Sequence, residues 1–292
     1  MKKSLCLVPL MMTASCMAQQ DFSNVQITPN QLSDNIYFLE GQGGNIGVSI
    51  GDDGVFIVDD QFAPLSEKIL DALETLSEEP VRFVLNTHHH GDHTGGNANM
   101  AAAGAVIIAH ENTRTTLQAG FTGGDLTQAL TEEQRMGLPI VTFAESVNFH
   151  LNGDSIHVFY NGPGHTGGDV FVYFMEDNII HTGDVFRTTG YPRVDAAAGG
   201  SFSGIVASYE KLLEVSNANT RFLPGHGVVS DQNEVRSQLQ MFYTIRTRVQ
   251  NAIDDGMSLD QVLAAGLTAE YDERWGDPAG LLPSVYAELV GQ

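Results

Sequence analysis

The sequence predicts an α/β fold with a helical tail, and three observations carry the prediction. Short β-branched and aromatic runs recur between Gly, Asp and Asn, helical spacing separates some of them, and the chain turns helical after Asp231. The runs are Ile36–Leu39, Ile46–Ile50, Val55–Val58, Val81–Leu85, Val106–Ala109, Ile156–Tyr160, Val170–Phe174 and Asn178–His181. Their length and flanks suit buried strands. Leu65, Ile69, Ala72, Leu73 and Leu76 fall on one helical face, with Pro64 placed for a first turn. The stretch 55–85 therefore reads as a strand–helix–strand unit. In the tail, Leu239, Phe242, Ile245, Val249 and Ile253 share a face, and a shorter helical segment follows from Leu259. No linker or low-complexity tract divides residues 19–292, which read as one domain with its helical tail from about 232.

Charge narrows the partners. With 14 Lys and Arg against 36 Asp and Glu, the formal net charge is −22, so phosphate backbones repel the chain and nucleic acid is not an expected partner. A small molecule is. Residues 1–18 differ from the rest: Lys2 and Lys3 precede an apolar run, Leu5 to Met12, and small residues through Ala18 lead into polar Gln19-Gln20-Asp21. This is the layout of a secretory signal, too short to span a bilayer. It predicts a periplasmic or secreted protein. Thr13-Ala14-Ser15-Cys16 also resembles a bacterial lipobox, which would leave Cys16 lipidated. Both cysteines, Cys6 and Cys16, lie in this segment, so cleavage after Ala18 leaves no disulfide and no thiolate chemistry. No other apolar stretch approaches membrane-spanning length.

The chemistry concentrates in His88-His89-His90-Gly91-Asp92-His93, directly after the expected strand 81–85. Alternation along an extended segment would turn His88, His90 and Asp92 one way and His89 the other. His93 follows at a Gly95-Gly96 turn. Three imidazoles and a carboxylate at the carboxyl end of a strand suit a borderline divalent cation such as zinc. Three later positions repeat the context of a turn beside a strand: His165 in Gly164-His165-Thr166-Gly167-Gly168, Asp184 in His181-Thr182-Gly183-Asp184, and His226 in Pro224-Gly225-His226-Gly227. The tetrapeptide His-Thr-Gly-Gly at 93–96 returns at 165–168, and His-Thr-Gly-Asp stands at 181–184, as two related halves meeting at one edge would arrange.

This order of residues resembles the metallo-β-lactamase superfamily, with its His-x-His-x-Asp-His motif followed by a distant His, Asp and His. The resemblance runs from about Ile36 to Val228. It implies a four-layer αβ/βα sandwich of two mixed sheets with the site at one edge, and two zinc ions. It assigns His88, His90 and His165 to the first ion, Asp92, His93 and His226 to the second, and Asp184 as the bridge. Asp59 takes the place of an aspartate that orients the ligand turn from behind, and Asp92 the dual role of ligand and proton relay. The reaction so implied is hydrolysis by water activated between the ions.

The substrate stays open at this level. Residues 156–186 resemble di-zinc β-lactamases, and Arg187 lies three residues after Asp184, where many of those enzymes place a lysine that grips the drug's carboxylate. An ordinary surface arginine is the other reading of Arg187. Asp184 and His93, in contrast, stand where the broad-spectrum subclass has cysteine and arginine, and match hydroxyacylglutathione hydrolases and lactonases. A β-lactam or related cyclic amide or ester is the first expectation, a thioester or lactone the alternative. A phosphodiester, or iron-dependent sulfur dioxygenation, ranks behind both. The segment 184–200 resembles bacterial hydrolases of the same fold. Gly41–Gly47 reads as a hairpin turn overhanging the site rather than a dinucleotide fingerprint. His110, His150, His157 and His181 are expected to be structural. Phe62, Phe121 and Trp275 are candidates for pocket wall or core. Arg236, Arg246 and Arg248 lie on the tail helices, and the oligomeric state is not legible.

Overall fold

A computed structural model describes residues 21–291; the segment 1–18 expected to be a secretory signal, with Cys16, lies outside the described residues. Two sheets organise them. The first runs, edge to edge, β1 (Thr28–Gln31), β2 (Ile36–Glu40), β3 (Ile46–Ser49), β4 (Val55–Val58), β5 (Val81–Asn86), β6 (Val106–His110) and β7 (Val141–Phe143). The second comprises β8 (Ser146–Leu151), β9 (Asp154–Tyr160), β10 (Val170–Phe174), β11 (Ile179–His181) and β12 (Arg221–Leu223), in that order. Both are mixed: β1 to β4 pair antiparallel and β4 to β7 parallel, while β8 to β11 pair antiparallel and β11 with β12 parallel.

Strand alternation sorts the side chains into layers. Val55 and Ile57 point to an outer core shared with Leu65, Ile69 and Leu73 of the helical segment, whose main helix is α1 (Ser66–Glu74). Phe56 and Val58 point the other way, into a core between the sheets, where they meet Val170, Val172 and Phe174 of β10. Phe171, on the opposite face of β10, joins a third core under the C-terminal helices. Helices, sheet, sheet, helices: this is the four-layer sandwich that the resemblance implies.

On the first side lie α2 (Gly91–Thr94), α3 (Asn97–Ala102), α4 (Glu111–Thr122) and α5 (Glu132–Met136). The third core is covered by α6 (Phe202–Val215), α7 (Gln232–Asp254), α8 (Leu259–Ala264), α9 (Ala269–Trp275) and α10 (Leu282–Val290). Asp231 starts α7 by accepting hydrogen bonds from the Asn233 and Glu234 amides, which stabilises otherwise unpaired donors at a helix start. Glu288 of α10 does the same for α6, accepting from the amides of Phe202 and Ser203. No helix among the described residues is long and apolar enough to cross a membrane.

All eight strands expected from the sequence are present, with bounds shifted by at most two residues. Strand β12 was read only as a strand end before His226, and β1, β7 and β8 were not anticipated. Strands β1 and β8 are half-exposed and rich in polar residues, and β7 is a three-residue edge, so none of these three carries a buried apolar run. Helix α6 is a plainer omission, since Phe202, Ile205, Tyr209 and Leu212 repeat at helical spacing and are buried.

Candidate metal centre

Five loops leave the carboxyl ends of strands at one edge of the sandwich and carry the candidate residues. Asp59 follows β4, His88 to His93 follow β5, Asp184 follows β11 and His226 follows β12. His165 lies in the turn between β9 and β10. The side chains converge. His88, His90 and His165 form one trio with ligand atoms within 4.8 Å of one another, and Asp92, His93 and His226 form a second. Asp184 lies between them: its Oδ2 is 3.8 Å from His165 Nε2 and 3.3 Å from His226 Nε2, and its Oδ1 is 3.2 Å from His93 Nε2.

The local backbone differs from the expected extended segment in one respect. His90 is extended, with φ −64° and ψ 147°, so His88 and His90 do converge by alternation. Asp92 and His93 instead sit in the one-turn helix α2, which delivers both to the second trio. His89 joins neither trio; its Nε2 lies 3.7 Å from Asp195 Oδ2, the oxygen that also meets His90 Nε2.

Outer hydrogen bonds decide which nitrogen of each imidazole faces inward. The His88 Nδ1–H donates to Thr87 Oγ1 at 3.0 Å, and that hydroxyl donates to Asp59 Oδ2 at 2.8 Å. His93 Nδ1 donates to the same Asp59 oxygen at 2.7 Å. His165 Nδ1 donates to the Arg193 carbonyl at 2.8 Å, and His90 Nε2 to Asp195 Oδ2 at 3.0 Å. In each neutral ring the bond leaves the opposite nitrogen with a lone pair, so Nε2 of His88, His93 and His165 and Nδ1 of His90 are the inward donors. His88 Nε2 and His165 Nε2 accordingly stand 3.1 and 2.9 Å from His90 Nδ1.

Asp59 is buried and adopts φ +68°, a left-handed pose that aspartate tolerates better than most residues. From there it also accepts the Thr87 amide at 2.7 Å. One carboxylate thus reaches a residue of each trio, directly to His93 and through Thr87 to His88. Asp195 and Arg193 were missed. Nothing in their spacing marks them; the loop 193–200 is tied to the site by backbone bonds, Asp195 N donating to the His165 carbonyl and Gly167 N to that of Ala198, each at 2.8 Å.

Close packing reinforces the geometry. A Cβ on Gly44 would stand 2.3 Å from His93 Cε1, and one on Gly225 would stand 2.2 Å from Asp184 Oδ1. The hairpin turn 41–45 lies across the ligand loops as expected. Gly44 N donates to the Asp92 carbonyl and Asn45 N to that of Gly225, at 3.0 and 2.6 Å.

Do these groups suit a divalent cation? Burial holds His88 well below its ordinary range and lowers His165 to about 4, so both present neutral nitrogen. Burial would lower His93 too, but Asp184 and Asp59 outweigh it and raise it well above the ordinary imidazole range. For Asp92, burial opposes the change, yet the hydrogen bond from His226 and the charge of His93 bring it to about 2. The site therefore holds ionised carboxylate and favours positive charge at the centre. His93 Nε2 and Asp184 Oδ1, buried and 3.2 Å apart, have no partner beyond each other, a costly state for polar atoms unless a ligand completes them. Tetrahedral donors at ~2.0–2.1 Å from one ion stand roughly 3.3 Å apart, close to the separations here. The residues fit.

Arg187, expected as a grip on a substrate carboxylate rather than as a metal ligand, lies three residues beyond Asp184. Its Nε donates to the Thr189 carbonyl at 2.8 Å, and its side chain makes no hydrogen bond or ion pair with either trio. His181 and His110 are structural as expected: His181 Nε2 donates to the Asn45 carbonyl and His110 Nδ1 accepts the Asn112 amide at the start of α4. Trp275 is core, whereas Phe62 packs on Phe22 and Phe121 lines a cavity.

A two-sheet sandwich with paired His/Asp trios at the carboxyl ends of its strands defines a metal-binding α/β protein. The chain belongs to the metallo-beta-lactamase superfamily, whose family model matches residues 35–226; members of that superfamily are metal-dependent hydrolases. Curated relatives include the 2,4-dinitroanisole O-demethylase subunit alpha of Nocardioides sp., 24% identical over 79% of this chain and 66% of its own length. The hydroxyacylglutathione hydrolase of Methylococcus capsulatus is 29% identical over 52% of this chain and 57% of its own. A metallo-beta-lactamase type 2 of Bacteroides fragilis is 24% identical over 78% and 90%. The chain thus spans between about half and two thirds of the first two relatives. Among solved structures, a metallo-beta-lactamase from Pontibacter korlensis superposes with TM-score 0.62 at 20% identity, covering 75% of this chain and 99% of that one.

Proposed function

We propose that this chain is an exported zinc-dependent hydrolase that opens a β-lactam or a related cyclic amide or ester. The observation that carries the reading is the inward aim of seven donors in two adjoining trios sharing Asp184. His88, His90 and His165 would hold one zinc ion, Asp92, His93 and His226 the other, and Asp184 would touch both. Bound there, two zinc ions acidify water and polarise a carbonyl. The Asp92 carboxylate, part-open at the cleft beside His226, orients the attacking water, takes its proton on the oxygen not turned to His226 and returns it to the departing nitrogen or oxygen. The hairpin turn 41–45 limits solvent access above it. Export rests on the leader Lys2–Ala18, and lipidation at Cys16 is the variant of that route.

A thioester or lactone is the second reading, favoured by Asp184 and His93 and by the hydroxyacylglutathione hydrolase relatives. One panel on zinc-loaded protein separates the two: a penicillin, a cephalosporin, a carbapenem, an acyl-homoserine lactone, S-lactoylglutathione and a phosphodiester. Thioester turnover well above every β-lactam would reverse the ranking. Chelation is expected to abolish turnover and added zinc to restore it. Zinc at 1,000 times its dissociation constant should also stabilise the fold by about 4 kcal/mol, read as a rise in melting temperature. No rise and no activity loss on chelation would reject the metal reading.

Asp195→Ala is expected to weaken zinc uptake ~10–100-fold, because it frees the His90 ring from its 3.0 Å anchor. Competition against a chromophoric chelator measures it, with the melting temperature of metal-free protein as control. Unchanged affinity would mean that the anchor is idle.

A further inference from the structure

We propose that the cavity beside the ligand segment receives an apolar, uncharged substituent of the molecule hydrolysed, so that the enzyme selects substrates bearing a medium-length alkyl or aryl group near the reacting carbonyl. The inference rests on the hydrolase reading above. The cavity, about 550 Å³, lies among α2, α3, α4 and α5, with His89, Gly91, Thr94, Leu117, Phe121 and Gln134 among its walls. That volume is in the range of small-molecule sites.

Two independent features point to a ligand there. Leu117 and Phe121 stand one turn apart on α4, so they share a face. Both are half-buried, and neither packs into any of the three cores. Ala98 on α3 is in the same position. The fold has thus placed apolar side chains around a space it does not fill itself. The second feature is the route in. Gly91 borders the cavity, is exposed, and has no atom within 4 Å of where a Cβ would stand. It lies between His90 and Asp92, whose side chains are 31% and 29% exposed and open the metal cleft to solvent. A molecule with its carbonyl at the trios can therefore run over Gly91 and His89 to reach Leu117 and Phe121. Glu133 on the wall and the charge of −22 disfavour an anionic group at the far end.

The test uses straight-chain alkyl hydroxamates, from acetohydroxamate to octanohydroxamate, titrated calorimetrically into the zinc-loaded full chain. The head chelates metal and the tail explores the cavity. Affinity should rise by up to about fourfold per methylene over the first few carbons. Phe121→Glu should flatten that rise and leave acetohydroxamate binding unchanged. Leu117→Gln, a milder change on the same helix, should flatten it partly and serves if the first variant does not fold. Tight acetohydroxamate binding with no tail dependence in the wild type would overturn the cavity proposal and leave the metal centre standing. A tail dependence undiminished in both variants would overturn it too, by placing the tail elsewhere. Failure of acetohydroxamate itself to bind would remove the metal reading and the cavity proposal with it.

Discussion

Asp184→Asn should cost turnover at least ~10³-fold, equivalent to several kcal/mol of transition-state stabilisation, and should strip metal from both trios. The substitution keeps the shape of a side chain packed so closely that Gly225 admits no Cβ beside it. What it removes is charge. Asp184 alone approaches His165, His93 and His226 together, within 3.2–3.8 Å, so no neighbour can replace it as the common anion. Metal content after dialysis, measured by plasma emission, should fall from about two equivalents to less than one. A variant that retains two equivalents would contradict a shared role for this carboxylate.

Asp92→Ala is expected to lower turnover by ~10²–10⁴-fold, the usual worth of a positioned acid–base group. Its fold should survive. Asp92 sits on the open side of the cleft, 29% exposed, and its close partner is His226 at 3.1 Å, so stability should change by no more than ~1 kcal/mol. Circular dichroism and the melting temperature check the fold, and steady-state kinetics on the best substrate of the panel check turnover. Near-normal turnover would move the proton relay to another group. The two variants are complementary, since the first should empty the site and the second should leave His88, His90 and His165 able to fill.

Much of the site was legible because its donors come in short runs with a chemical reason to be there. Three imidazoles and a carboxylate after a buried strand, and three later donors in Gly-rich turns, are costly to explain as surface residues. The strands that carry them were legible for the same reason: β4 and β10 are continuously apolar over most of their length because both faces of each are covered. The edges were not. Strand β8 alternates exposed and half-buried residues, and its partner β9 rather than its own composition holds it in place.

The amino-acid order alone therefore determined the α/β class, the buried strands, the seven candidate donors and the acidic charge. Tertiary structure decided how those donors are aimed. Alternation could not place Asp92, because a single turn of helix interrupts the extended segment. Nor could spacing reveal that the Arg193 carbonyl and Asp195 orient His165 and His90. Hydrogen bonds such as that between His90 and Asp195, 105 positions apart, are set by which loops the two sheets bring to a common edge, and a linear pattern holds no measure of that distance.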